Sequence, residues 1–169
     1  MISSPAAFPL SMRTIEYIRM VEASLGDVWD AWTTNEGVRA FFAPDSDIEL
    51  RIGGKYELYF DPEAPEGLRG SEGMKIQSYI PERMLAFDWN HPPSIPELRE
   101  VKTWVVVEFR EMDDELCEIA LTHLGFGEDS ALWDQAYVYF QNAWNTVLSR
   151  FERSVRIGAI DWDLLTEKH

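Results

Sequence analysis

His123 closes an alternating run, Cys117, Ile119, Leu121 and His123, in which every second residue points to one face. An imidazole at the inward end of such a strand has two uses. It can act as a general acid or base, or as a hydrogen-bond partner for a bound molecule. It can equally be a core group satisfied by a neighbour. Downstream, Trp133, Tyr137, Phe140 and Trp144 recur at spacings of three and four, the pattern of one helix face. Tyr56, Phe87 and Trp89 fall on the apolar phase of other alternating runs, and Phe42 ends a short helical pattern. Rings facing rings either pack solid or frame a gap, and ligand sites are commonly about 300–1,000 Å³, mostly apolar with few polar groups. The candidate ligand-binding set is therefore Phe42, Tyr56, Phe87, Trp89, His123, Trp133, Tyr137, Phe140 and Trp144. Proton transfer, if there were any, would pair His123 with Tyr56 or Tyr137.

No other chemistry is indicated. His91 lies in a Pro-rich loop and His169 at the terminus, and neither suggests a role. No His/Cys cluster has metal-ligand spacing. Cys117 reads as a buried strand thiol, and a lone cysteine forms no internal disulfide. "GLRGSEG" lacks the Gly-Lys-Ser/Thr ending of a phosphate loop. Asp88 falls out of phase with Leu85, Phe87 and Trp89 and is expected to face solvent. No catalytic residue, cofactor or metal is predicted.

The elements that must position these groups follow from the pattern. Residues 13–23 alternate as a strand, with Ile15 and Tyr17 on one face and Glu16, Ile18 and Met20 on the other. Ser24 with Asp27 opens a first short helix, and Thr33 with Glu36 a second that Pro44 closes. Strands then follow around Ile48, Leu50 and Ile52; Tyr56, Leu58 and Phe60; Met74, Ile76 and Ser78; Leu85, Phe87 and Trp89; Val105, Val107 and Phe109; and Cys117 to His123. Residues 61–73 and 90–100 are Pro/Gly-rich loops. Asp129 or Ser130 caps a long helix and Gly158 ends it. At about 1.5 Å per residue that helix reaches roughly 40 Å and must lie across a whole sheet. Strands in a run followed by one helix indicate an α+β fold with an antiparallel sheet.

With 15 Lys and Arg against 30 Asp and Glu, the formal charge is −15. That balance argues against nucleic acid and against anionic membrane surfaces. No apolar run is long enough to span a bilayer, so membrane insertion is not expected. Trp104 alternates outward beside Val106, a candidate homodimer seam. Trp162 either packs the tail onto the body or marks a protein interface.

The ordered set "VWDAWTTNEGVRAFFAP", "RIGGKYEL", "YIPERMLAFDWNHPP", "LTHLGFGE", "YFQNAWNTVLSRFE" and "IDW" resembles the START-like, helix-grip (SRPBCC) superfamily. Within it, the chain is similar to homologues of the C-terminal domain of the heat-shock-protein-90 ATPase activator, over about residues 14–163. Asp88, Phe41 with Phe42, and Ala143 depart from the residues frequent there. The resemblance implies a curved antiparallel sheet of six to seven strands gripping a long C-terminal helix, with two short helices after the first strand. The first dozen residues, "MISSPAAFPLSM", lack a basic start and a continuous apolar stretch and read as a loose arm over 1–12 and not a secretory signal, before a START-like domain over 13–163 and a tail over 164–169. The resemblance also implies a cavity between the sheet and the long C-terminal helix for a hydrophobic or amphipathic small molecule; the lone Cys117 fits a reducing compartment, and a soluble, cytoplasmic protein is expected. A cyclase- or dehydratase-type enzyme acting in that cavity, and a regulator of a heat-shock-protein-90-like ATPase with a chaperone partner, remain open alternatives.

Overall fold

The computed structural model describes residues 13–128 and 130–166. The N-terminal arm, Asp129 and His169 lie outside them. The element order is β1 (Ile15–Val21), α1 (Leu25–Thr33), α2 (Asn35–Arg39), β2 (Asp45–Ile48), β3 (Tyr56–Tyr59), β4 (Ile76–Ile80), β5 (Met84–Trp89), β6 (Thr103–Asp113), β7 (Leu116–Leu124), α3 (Ala131–Ile157) and α4 (Trp162–Thr166).

All pairings are antiparallel. Five strands form one sheet in the order β1-β7-β6-β5-β4, and β2-β3 form a second, smaller one. Single bridges, Lys55 to Lys75 and Tyr59 to Gly70, join the two across the β3–β4 connection. The seven expected strands are thus present, divided five and two. The helix-grip arrangement is as expected, with one long helix serving the whole sheet.

Local signals explain most boundaries. The Ser24 hydroxyl accepts the Asp27 amide at 3.2 Å and opens α1. The cap of α2 is Thr34, which accepts the Gly37 amide at 3.0 Å, and not Thr33, whose hydroxyl donates back to the Trp29 carbonyl at 2.7 Å. Ser130 caps α3 by accepting the Trp133 amide at 3.1 Å. Gly158 ends it at φ +105°, a conformation that carries little cost only for glycine.

Three expectations about phase change. The chain leaves β2 after Ile48 and turns through Glu49–Gly54, so Leu50 and Ile52 are exposed and do not extend the strand. A bulge between Ile76 and Ser78 adds one residue to β4, which shifts the alternation. Ser78 is consequently exposed, and Tyr79 packs inward against Trp29. Asp88 is buried rather than solvent-facing. Its carboxylate accepts from the Lys75 amide at 2.6 Å and from Gln77 at 3.0 Å, with Lys102 at 3.6 Å, and these partners offset its desolvation.

The core fills the space between the sheet and α3. Leu85, Phe87, Val105, Val107, Ile119 and Leu121 rise from the sheet; Phe140, Trp144, Leu148 and Phe151 descend from the helix. Trp32, Phe41 and Phe42 plug one end, with Trp32 and Phe41 both in ring contact with Phe151. β1 runs in the same direction as α3 and is tied to it. Tyr17 donates to the Gln141 carbonyl, Tyr137 to the Thr14 carbonyl, and Arg19 to Asn145, at 2.8, 2.8 and 2.9 Å.

Candidate functional site

A cleft of about 750 Å³ lies beside the middle of α3, between the helix and the two long loops. Phe42, Trp89, Phe140, Trp144 and Val147 form its deep apolar wall. The loop after β3 supplies Phe60, Ala64, Pro65 and Leu68, and the loop after β5 supplies Asn90, His91, Pro92, Pro93 and Arg99. The helix edge above carries Tyr139, Asn142, Ala143, Thr146 and Arg150. Trp89 and Trp144 stand 5.7 Å apart at 37°, each 5.8 Å from Phe42, so the wall is a continuous set of ring contacts.

Arg99 and Glu72 shape the two loops. The Glu72 carboxylate accepts the amides of Gly67, Arg69 and Gly70. Burial alone would raise its pKa, but those amides outweigh burial and hold it below the ordinary carboxylate range. Arg99, 7% exposed, donates to the carbonyls of His91 and Gly67 at 2.5 and 2.7 Å and meets Glu72 at 3.3 Å. Asn90 donates to the Gly70 carbonyl at 3.1 Å. Gly70 itself cannot carry a side chain, because a Cβ there would stand 1.9 Å from the Leu58 carbonyl oxygen. The cleft is therefore built by specific loop-to-loop bonds and needs no occupant to bring its walls together.

Of the predicted ligand set, Phe42, Trp89, Phe140 and Trp144 meet on this cleft. Tyr56, Phe87, His123, Trp133 and Tyr137 lie outside its lining. Tyr56 stacks on Phe87 at 4.2 Å, and its hydroxyl donates to the Trp32 carbonyl at 2.8 Å. Burial raises that phenol's pKa, so it stays a donor. Tyr137 is engaged with Thr14, and Trp133 packs beside Phe126 and His91.

His123 is fully buried, and both ring nitrogens are occupied. The Trp144 indole donates to Nδ1 at 2.9 Å, so Nδ1 is the acceptor and Nε2 carries the proton. Nε2 then donates to the Thr103 hydroxyl at 2.6 Å, and that hydroxyl donates to the Trp89 carbonyl at 3.1 Å. Burial, with a smaller push from His91, depresses the pKa of His123 from 6.5 to about 3. The imidazole is neutral and locks β7, β6 and β5 to α3.

His91, which the sequence left without a role, is fully buried and lines the cleft. Its Nδ1 lies 2.9 Å from the Val101 carbonyl and must be the protonated nitrogen. Nε2 has no hydrogen-bond partner among the described residues. Burial lowers its pKa against the opposing pull of the Val101 and Leu98 carbonyls. Arg69 and Arg99 carry no periodic signal, and Arg150 reads from the sequence only as a cation near the carbonyl end of the long helix. The available signal was the helix edge Tyr139, Asn142, Ala143, Thr146 and Arg150, spaced by three and four beside the buried stripe. Trp162 packs back onto the body, its indole donating to the Arg39 carbonyl at 2.6 Å, with Arg150 over its ring at 5.4 Å.

Among the described residues, no group of three His, Cys, Asp or Glu side chains is arranged to hold a metal ion. Burial, reinforced by Glu111, Asp113 and Glu115, pushes the Cys117 thiol up, away from thiolate chemistry. No helix among these residues is long and apolar enough to cross a membrane.

Residues 22–156 match the family described as Activator of Hsp90 ATPase homolog 1-like protein. The chain belongs to that family. No curated protein matches it. Among solved structures, it is similar to a protein of Mesorhizobium loti at TM-score 0.69 and 14% identity, covering 88% of this chain and 100% of that one. It is similar to the Aha1 dimer of Colwellia psychrerythraea at TM-score 0.64 and 18% identity, covering 87% and 98%. It is also similar to CalU16 of Micromonospora echinospora at TM-score 0.64 and 19% identity, covering 92% and 81%. These likenesses establish the START-like, helix-grip fold.

Proposed function

We propose that this protein binds a hydrophobic or amphipathic small molecule in the cleft beside α3. The observation that carries the reading is an aromatic-walled space of about 750 Å³, held open by the Arg99–Glu72 loop bonds. Its role is binding rather than catalysis. His123, the imidazole that the sequence offers for proton transfer, has both nitrogens taken by Trp144 and Thr103 and lies outside the cleft, and His91, which lines the cleft, holds Nδ1 on the Val101 carbonyl with its pKa lowered by burial. A neutral fluorescent probe, N-phenyl-1-naphthylamine, tests the site directly. It should bind with saturable enhancement and quench tryptophan emission, since Trp89 and Trp144 line the wall. Thr146→Trp, an exposed helix-edge residue of the lining, should block it while leaving the melting temperature near wild type. Probe binding that is unchanged in Thr146→Trp, or absent in wild type, would defeat this reading.

A second reading concerns association. Ile18, Met20 and Trp104 are 62%, 44% and 43% exposed on the outer face of the five-stranded sheet. The similar Colwellia protein was solved as a dimer. This face is the natural seam for a homodimer of the present chain. Sedimentation velocity should show a dimer that Ile18→Lys dissociates; a monomer at all concentrations removes the idea.

A further inference from the structure

The charged residues of the cleft reverse the balance of the chain. The whole sequence has twice as many acids as bases, yet the lining contains Arg69, Arg99 and Arg150 against Asp61 alone. Arg99 is matched by Glu72. The other two are not: among the described residues, neither Arg69 nor Arg150 has a carboxylate within ion-pair distance.

Both are half-buried. Arg69 spends its Nε on the Ala64 carbonyl at 3.0 Å, which orients the guanidinium and leaves its terminal nitrogens unspent. Arg150 is steadied by the Trp162 ring, itself fixed through the indole bond to the Arg39 carbonyl. Burial pushes the pKa of Arg150 down, the mark of a cation that lacks a compensating anion. Retaining two oriented, unmatched guanidinium groups beside an aromatic wall carries a desolvation cost that an anionic partner would relieve. In a protein of net charge −15 the long-range field repels anions, so this local reversal acts as a selective feature and not as general attraction.

We propose that the occupant of the cleft is an amphiphile with a single anionic group met by Arg69 and Arg150, its apolar body lying against Trp89 and Trp144. This rests on the binding role proposed above and adds the ligand's charge. A carboxylate and an ionised enol or phenol share the required chemistry, since each presents acceptor oxygens to a guanidinium fork.

The test compares charged and neutral isosteres on the full chain by isothermal titration. Suitable probes are 1-naphthoate against 1-naphthamide, dodecanoate against dodecanol, and 1-naphtholate at alkaline pH against naphthalene. The anion of each pair should bind about tenfold or more tightly than its neutral partner. Arg69→Gln with Arg150→Gln should abolish that preference, the anion of each pair then binding no more tightly than its neutral partner. Arg110→Gln, which alters an exposed ion pair with Glu118, should leave the preference intact. Equal affinities within a pair in wild type, or a preference that survives the double substitution, overturns the anion proposal and leaves the cleft as a neutral apolar site. If neither member of any pair binds, the binding role itself falls. A gain seen only for naphtholate or only for the carboxylates decides which oxyanion the site serves and supports the proposal either way.

Discussion

Acid should destabilise this protein measurably through one imidazole. His123 is an acceptor at Nδ1 for the Trp144 indole and a donor at Nε2 to Thr103. Protonating Nδ1 would set one N–H against another in a buried site. Burial, with a smaller push from His91, already depresses the pKa from 6.5 to about 3 in the folded state. Because the folded value is depressed, the unfolded chain binds the extra proton first. Stability is therefore complete above pH 6.5 and declines as pH falls toward 3. The slope for one such group approaches about 1.4 kcal/mol per pH unit, so about two units of acidification remove roughly 2–3 kcal/mol. His91 is also lowered and contributes in the same direction below neutrality. The experiment is urea unfolding of wild type, His123→Gln and His91→Gln across this range, followed by tryptophan fluorescence. Glutamine can neither gain the proton nor impose the clash, so His123→Gln should lose about one proton's worth of slope, whatever its absolute stability. Identical slopes in wild type and His123→Gln, or a native His123 that titrates near 6.5 by NMR, would refute the tautomer and the relay.

Other perturbations separate the parts of the site. Trp144→Phe keeps a ring but removes the donor to His123, leaving a buried acceptor unpaired; unfolding titrations should show a loss of about 1–3 kcal/mol. Arg99→Met breaks the tie between the two loops and leaves the His91 and Gly67 carbonyls without their donor, while Glu72 keeps only its backbone amides. It should cost roughly 3 kcal/mol and raise amide exchange at 66–73 well above that at β6. Gly70→Ala forces a methyl against the Leu58 carbonyl; thermal unfolding should shift down by several degrees, and an unchanged transition would mean the loop is not seated as described.

The topology was legible because each element announces itself locally. Val105, Val107 and Phe109 alternate, the α3 stripe recurs at three and four, and Ser130 and Gly158 mark the helix ends. Alternation fails where an extra residue enters, as at the β4 bulge, or where the chain turns after Ile48; periodicity contains no term for either. The site was half legible for the same reason. Phe42, Trp89, Phe140 and Trp144 are ring positions fixed by the regular elements, so their convergence could be read from phase. His91, Arg69 and Arg99 are placed by loop bonds to Val101, Ala64, Gly67 and Glu72, contacts between residues up to 32 apart that leave no periodic trace. His123 was singled out by its place at a strand's inward end. What a sequence cannot supply is the partner, and the Trp144 indole turns that imidazole into a structural acceptor.

Trp144 belongs to both systems: its N–H binds His123, while its ring lines the cleft beside Trp89. The wall of the cleft and the relay that stabilises the fold thus share one side chain. A ligand at about a hundred times its Kd should raise stability by about 2.7 kcal/mol if it binds only the folded chain. If the indole is set by packing against Phe42 and Trp89 alone, His123→Gln should show the same ligand-induced gain as wild type. If the hydrogen bond to His123 sets the ring, the gain should shrink in His123→Gln, and tryptophan anisotropy of the free protein should fall with it. Measuring the 1-naphthoate-induced shift in both proteins at neutral pH distinguishes the two. The 2.9 Å bond, buried and without water competition, favours the second outcome, and an undiminished gain would assign the wall's rigidity to the aromatic contacts instead.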